Sequence, residues 1–234
     1  MTAPAPVVLV TGAAGQLGQA VAAHFHQTGA RLLLLLDRDA QALQRLYGAL
    51  PGAVLVEADL LDRAQLLSRI AQACPAPQRI DVLCHLAGGF RMGEAVHMLA
   101  DGSWDLLMDL NARSLLHVAA AVVPRMLAQG AGRIVTVGAG AAQRGAAHMG
   151  GYCASKSALV RLTESMSAEL RDQGIHVNCV MPSVIDTPDN RAAMPEADAS
   201  RWVAPAALAE VIGFLASHAA RAVHGVALPV SGRV

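Results

Sequence analysis

Between Val7 and Gly18 an apolar pentad runs directly into a glycine-punctuated turn, Val-Val-Leu-Val-Thr-Gly-Ala-Ala-Gly-Gln-Leu-Gly, and a helical pattern follows as far as Gly29. Five apolar residues are too few for a helix, and without polar alternation they read as a strand buried on both faces. A strand that feeds a helix and then a second buried strand, Arg31 to Leu36, places the two strands parallel. The unit then repeats. Helices are expected at Ala40–Tyr47, Arg63–Ala73, Ser103–Gln129 (bent at Pro124, stopped by Gly130) and from Tyr152 and Lys156 to Gly174. Between them fall strands at Ala53–Glu57, Ile80–Leu86, Arg133–Val137 and Ile175–Met181, the last broken by Pro182. Pro205 opens a final helix before a strand at Val226–Val230.

Strands alternating with helices predict an α/β protein with a Rossmann-type, doubly wound parallel sheet of about seven strands, helices on both faces, in a single domain over residues 1–234. Pro75-Ala-Pro77 reads as a connector within it. Residues 183–204 carry two prolines and mixed charge without clear periodicity, and a segment of that kind inside a domain reads as a substrate lid. In such sheets ligands bind beyond the carboxyl ends of the strands, where Gly12, Asp37, Asp59, Gly88, Ala139 and Pro182 all fall.

Composition narrows the partners. The formal net charge is zero, which gives no reason to expect nucleic acid or an anionic membrane. Hydrophobic residues make up 54%, yet the uninterrupted apolar runs are short, so no membrane span is expected. The start, Met-Thr-Ala-Pro-Ala-Pro, lacks a basic region followed by an apolar one, and no signal peptide is read. Cys74, Cys84, Cys153 and Cys179 are widely spaced and suit thiols in a reducing cytoplasm. Nine histidines are scattered, and no metal site is expected.

Lys156 is the only lysine among 18 basic residues. A surface charge is served equally by arginine, so the amine points to chemistry or a tight fit. Tyr152 stands four residues earlier, on the same helix face. A cation beside a phenol favours the phenolate and brings tyrosine toward acid–base work. At the other end of the chain, Gly12, Gly15 and Gly18 let a backbone approach a pyrophosphate at a helix N-terminus. Asp37 ends the second strand, where a carboxylate accepts from an adenosine ribose and repels a 2′-phosphate. The competing reading is that Asp37 caps the next helix, and Arg38 beside it weakens discrimination against that phosphate. NAD(H) is therefore favoured, with NADP(H) left open.

With these residues in view, the chain resembles the short-chain dehydrogenase/reductase family over essentially its whole length. The likeness rests on Gly12/Gly15/Gly18, Asp59, Ala87-Gly88, Asn111, Tyr152-x-x-x-Lys156, and Asn178 through Pro182 to Thr187. It implies that Tyr152 donates or accepts the proton, Lys156 holds the nicotinamide ribose and lowers the tyrosine pKa, and Asn111 holds a relay water. It further implies a cofactor cradle of Gly12, Gly15, Gln16, Leu17, Gly18, Asp37, Arg38, Asp59 at the adenine, Leu60, Ala87, Gly88, Gly89 and Pro182, with Ile185 and Thr187 on the carboxamide side. A homodimer or homotetramer is also implied, paired through the helices that carry Asn111 and Tyr152.

The departures are informative too. Ala139 stands where the commonest branch has a serine, and His85-Leu86-Ala87-Gly88 replaces Asn-Asn-Ala-Gly. The G-x-x-G-x-x-G spacing, Ala87-Gly88-Gly89-Phe90 and the run Asp186–Trp202 look like the dihydropteridine reductases. The expected function is thus NAD(P)H-dependent hydride transfer to a small carbonyl or quinonoid substrate, dihydropteridine reductase-like. The alternatives are an alcohol dehydrogenase or ketoreductase with a non-serine donor (Gln143, His148 or Ser183), and a non-catalytic NAD-binding sensor.

Overall fold

The computed structural model describes residues 5–234 of the chain, so part of the stretch on which the signal-peptide expectation rests, residues 1–4, lies outside the described residues. Seven strands form one parallel sheet: β1 Val7–Thr11, β2 Leu32–Asp37, β3 Ala53–Glu57, β4 Val82–His85, β5 Gly132–Val137, β6 Ile175–Pro182 and β7 Ala227–Val230. Their order is β3-β2-β1-β4-β5-β6-β7. Chain order reverses between β1 and β4, and a crevice opens beyond their carboxyl ends.

Alternate residues of the strands face two helical layers. Val8, Val10, Leu33, Leu35, Val82 and Val135 pack against Phe25 of α1 (Gln16–Gln27), Leu43 of α2 (Ala40–Tyr47) and Ile212 of α8 (Pro205–Leu215). Leu9, Leu34, Leu36, Leu83 and Ile134 face the other way, toward Ile70 of α3 (Arg63–Ala73) and Val122 of α5 (Ser114–Gln129). Burial on both faces explains why β1 and β2 show nearly unbroken apolar runs.

The long helix expected over Ser103–Gln129 is divided. It comprises α4 (Asp101–Met108), a π-helical turn at Asp109–Arg113, and α5. The interruption falls there and not at Pro124, which lies inside α5. A π turn re-aims one side chain within an otherwise regular helix, and here that side chain is the buried Asn111. By length and composition Asp101–Gln129 would pass for a membrane span. It instead inserts Leu115, Val118, Val122 and Met126 into the protein core.

Residues 183–204 are more ordered than their composition suggests. Thr187 Oγ1 accepts from Asn190 N and caps α7 (Pro188–Ala193), a 3-10 turn spans Ala199–Arg201, and Ile185 bridges to Val203. The remaining long helix, α6 (Gly150–Leu170), carries Tyr152 and Lys156.

Candidate active site

The turn between β1 and α1 is closed by its own backbone. Gly12 has φ +68°, and a Cβ there would lie 3.0 Å from the main chain of Ala87. A Cβ on Gly18 would lie 2.2 Å from the Gly12 carbonyl oxygen, so both positions exclude larger residues. Gly15 differs. Its Cβ would meet only that same oxygen, at 3.4 Å, so the protein itself does not demand glycine there. It is the N-cap of α1 and offers no side-chain cap, which leaves the amides at Gln16, Leu17 and Gly18 without one. A bare helix N-terminus behind a glycine fits a pyrophosphate.

Asp37 closes β2 beside this turn. Its Oδ2 accepts from Ala14 N at 3.0 Å and its Oδ1 from Asp39 N at 3.2 Å. The reading of Asp37 as helix cap is corrected, because Asp39 Oδ1 accepts from Ala42 N and caps α2. Arg38 is exposed next to it. Asp59 is exposed at the end of β3 with Oδ1 accepting from Leu61 N, and the Leu60 carbonyl is tied to His117 Nδ1 at 2.8 Å.

At the crevice Lys156 is buried, and its Nζ donates to the Val137 carbonyl at 2.9 Å. Asn111 Oδ1 accepts from Gly89 N at 2.9 Å, while Nδ2 donates to Gly89 O at 2.9 Å and to Ser155 Oγ at 3.0 Å. Gly88 lies over both side chains. A Cβ on it would sit 2.7 Å from Asn111 Oδ1 and 3.0 Å from Lys156 Nζ. The fold therefore gathers Gly88, Gly89, Asn111 and Lys156 around one point, from the segment after β4, the π turn and α6, with Tyr152 one helical turn before Lys156 and its ring against Phe90.

Electrostatics at this point follow burial. Desolvation, then the neighbouring Cys153, push Tyr152 up to about 12, so the phenol is fully protonated at neutral pH. Desolvation pulls Lys156 down to about 8, only partly opposed by Cys179. The protein's own groups thus hold Tyr152 as an acid at neutral pH. Phe90 meets the Tyr152 ring edge to face, with centroids 4.8 Å apart, and is itself exposed.

Ala139 is buried at the end of β5 and supplies no donor. Of the substitutes considered, Ser183 is engaged elsewhere, its hydroxyl donating to the Ser231 carbonyl at 2.8 Å. Gln143 and His148 are exposed, and His148 has φ +60°, an uncommon conformation for a non-glycine residue. Pro182 ends β6 and is buried. Ile185 and Thr187 follow it, with the Ile185 carbonyl accepting from Asn190 Nδ2 and the Thr187 hydroxyl engaged as the α7 cap.

Sequence reasoning passed over several supports. Ser155 bridges Asn111 to the Tyr152 carbonyl, a role that the Tyr-Cys-Ala-Ser-Lys motif holds in plain view. His85 joins Thr11 Oγ1 at 3.0 Å to Ser114 Oγ at 3.2 Å. Tyr47 donates to the Ala13 carbonyl at 2.6 Å and fixes the glycine turn from α2. Neither of those two pairings has a sequence signal, since the partners lie far apart in the chain.

This sheet, crevice and glycine turn define a dinucleotide-binding α/β protein. A profile of the short chain dehydrogenase family matches residues 6–198. Dehydrogenase/reductase SDR family member 6 of Rattus norvegicus is 34% identical over 183 residues, covering 78% of this chain and 72% of the relative. The 3-oxoacyl-acyl-carrier-protein reductase FabG of Thermotoga maritima is 30% identical over 237 residues, covering 97% and 96%. The crystal structure of levodione reductase superimposes with TM-score 0.90 at 26% identity, covering 97% and 96%. The chain belongs to the short-chain dehydrogenase/reductase family of NAD(P)-dependent oxidoreductases.

Proposed function

We propose that this chain reduces a small carbonyl or quinonoid substrate, with NADH preferred over NADPH and Tyr152 as the proton donor. One observation carries the reading: Gly88 packs over Asn111 Oδ1 and Lys156 Nζ beyond the end of β4, next to the glycine turn and one helical turn from Tyr152. When bound, the nicotinamide supplies the hydride, and the protein orients and protonates.

Tyr152, protonated at neutral pH, delivers a proton to the substrate oxygen or nitrogen as charge develops there. Lys156 turns its ammonium toward the ribose hydroxyls and the phenol, which stabilises the phenolate left behind. Asn111 positions Gly89 and Ser155, and the second lone pair of its Oδ1 is available to a relay water. Asp37 receives the adenosine ribose hydroxyls, Asp59 and Leu60 border the adenine, and Ile185 and Thr187 border the carboxamide. Residues 183–204 act as the lid, with α7 moving as a unit.

The dihydropteridine reductase-like assignment rests on Ala139 and on Phe90. A quinonoid acceptor spreads negative charge and has little need of the missing hydroxyl. The exposed Phe90 ring beside Tyr152 offers an apolar wall to a flat substrate. A ketoreductase is the second reading, favoured by the names of the Thermotoga relative and of levodione reductase. A homo-oligomer is supported by Trp104, Leu106, Leu116 and Leu127, exposed apolar residues of α4 and α5. Four free, buried cysteines support a cytoplasmic setting.

The deciding experiment follows oxidation of NADH and NADPH by the purified protein with quinonoid dihydropterin, quinones, ketones and keto esters. Turnover of the first two classes supports the pterin-like reading, and turnover of ketones alone replaces it with the ketoreductase. Tight NADH binding with no turnover on any acceptor establishes the sensor.

A further inference from the structure

At the opposite edge of the sheet, the first residues of β4, β5 and β6 open onto a cavity of about 670 Å³. Strand register pairs Arg133 with both Val82 and His176, so the three side chains stand side by side on the face covered by α1 and α8. Arg133 Nη1 and His176 Nδ1 are both buried, and neither has a hydrogen-bond partner among the described residues. Burying a guanidinium N–H and an imidazole nitrogen without partners is unfavourable, and such orphans mark a place where another molecule completes the bonding.

The surroundings define that molecule. Asp81, at the rim, is already engaged: its Oδ1 pairs with Arg79 Nε at 2.8 Å and its Oδ2 accepts from Val7 N at 2.9 Å. Among the described residues Arg133 has no acidic partner, so the cavity carries an uncompensated cation. Phe25 and Ala216, together with Val82, give the cavity apolar walls. A guanidinium beside an imidazole selects an oxyanion, while apolar walls select a carbon body over a fully hydrated ion.

We propose that this cavity binds a small organic carboxylate, its oxygens received by the Arg133 guanidinium and the His176 imidazole and its apolar body lying against Phe25 and Ala216. The site is separate from the crevice. Arg133 and Val137 stand at opposite ends of β5, roughly 13 Å apart along the strand, and it is Val137 that receives the Lys156 ammonium.

Binding is coupled to protonation. His176 faces Arg133 from β5 and stacks on His224, which precedes β7, with ring centroids 4.2 Å apart. The other ionisable groups around the cavity are His24 of α1, His218 after α8, and the paired Arg79 and Asp81. Burial, then Arg133 and His224, hold His176 below the usual histidine range, against a hydrogen bond to the Val223 backbone that raises it. A carboxylate between Arg133 and His176 reverses that balance, so its binding takes up a proton and tightens as pH falls through the histidine range.

The test uses the full chain saturated with NADH, benzoate as the probe and inorganic phosphate as the comparison. Calorimetry is expected to show benzoate binding that tightens on acidification, and phosphate binding at least about tenfold more weakly. Arg133→Gln is expected to weaken benzoate by about tenfold or more with NADH affinity unchanged, and His176→Gln to remove the pH dependence. Imidazole resonances of the unsubstituted protein give a check that needs no variant: benzoate must shift those of His176 and His224. Absence of benzoate binding overturns the proposal, as does equal binding by Arg133→Gln, or shifts confined to the crevice. Phosphate binding as tight as benzoate removes the organic ligand class.

Discussion

Lys156 Nζ donates to the Val137 carbonyl at 2.9 Å, joining α6 to the end of β5 across nineteen residues of chain. This is a buried ammonium whose one acceptor among the described residues is neutral. Burial lowers its pKa from 10.5 to about 8, a displacement worth about 3 kcal/mol of unfavourable charge burial. A lysine with a depressed folded pKa weakens the fold while it is charged, and that penalty fades as pH rises from about 8 toward 10.5. Lys156→Met is therefore expected to abolish turnover while raising thermal stability at neutral pH by about 1–2 kcal/mol, net of the lost hydrogen bond. A lower melting temperature for the variant at pH 7 would contradict this.

His85 lies between Thr11 and Ser114, fully buried, with its pKa pulled down to about 3 by desolvation and by Lys156. A histidine neutral in the folded chain and protonated when unfolded makes stability fall as pH drops below about 6.5, down to about 3. His85→Asn can still reach both hydroxyls and does not titrate. Its unfolding free energy should be flatter than that of the unsubstituted protein across this window, measured by urea titration at several pH values. Parallel curves would show that His85 does not contribute to acid unfolding.

Gly88 tests the convergence of the site. A methyl group there would press on Asn111 Oδ1 and Lys156 Nζ. Misplacing catalytic groups by about 1 Å can reduce turnover on the order of 10²-fold. Gly88→Ala should lose that much kcat and keep its melting temperature within a few degrees, because the glycine lies on the crevice surface. Full activity in the variant would place the reaction elsewhere.

Asp37 bears on cofactor choice. Its carboxylate, held by Ala14 N, stands where a 2′-phosphate would meet it, with the exposed Arg38 adjacent. The ratio of kcat/KM for NADH to that for NADPH should exceed one and fall by about tenfold or more in Asp37→Ser. A ratio below one in the unsubstituted protein would reverse the assignment.

Ala139→Ser restores a hydroxyl at the end of β5. One oxyanion donor can be worth roughly 3–4 kcal/mol in a transition state, more for a localised alkoxide than for a conjugated anion. Ketone turnover should rise selectively, with quinonoid turnover little changed. Efficient reduction of unactivated ketones without the substitution would point instead to Gln143 or His148, since Ser183 is bound to Ser231.

The sheet was legible because each strand is local: β1 and β2 are short apolar runs whose burial pattern is written in consecutive residues. The tyrosine and lysine were equally legible, because helical spacing places them on one face whatever the rest of the chain does. Asn111 was visible as a residue, yet its inward aim was not. That aim depends on a π turn, and a π turn leaves no periodicity to read within a single helical span. The order within residues 183–204 was hidden for a related reason, since the Ile185–Val203 bridge and the Thr187 cap join positions of weak intrinsic preference. The electrostatics depended on tertiary structure throughout. Sequence predicts a cation one helical turn from the tyrosine. How far burial raises the one group and lowers the other is not legible there, because desolvation is set by how seven strands and their helices close around the site.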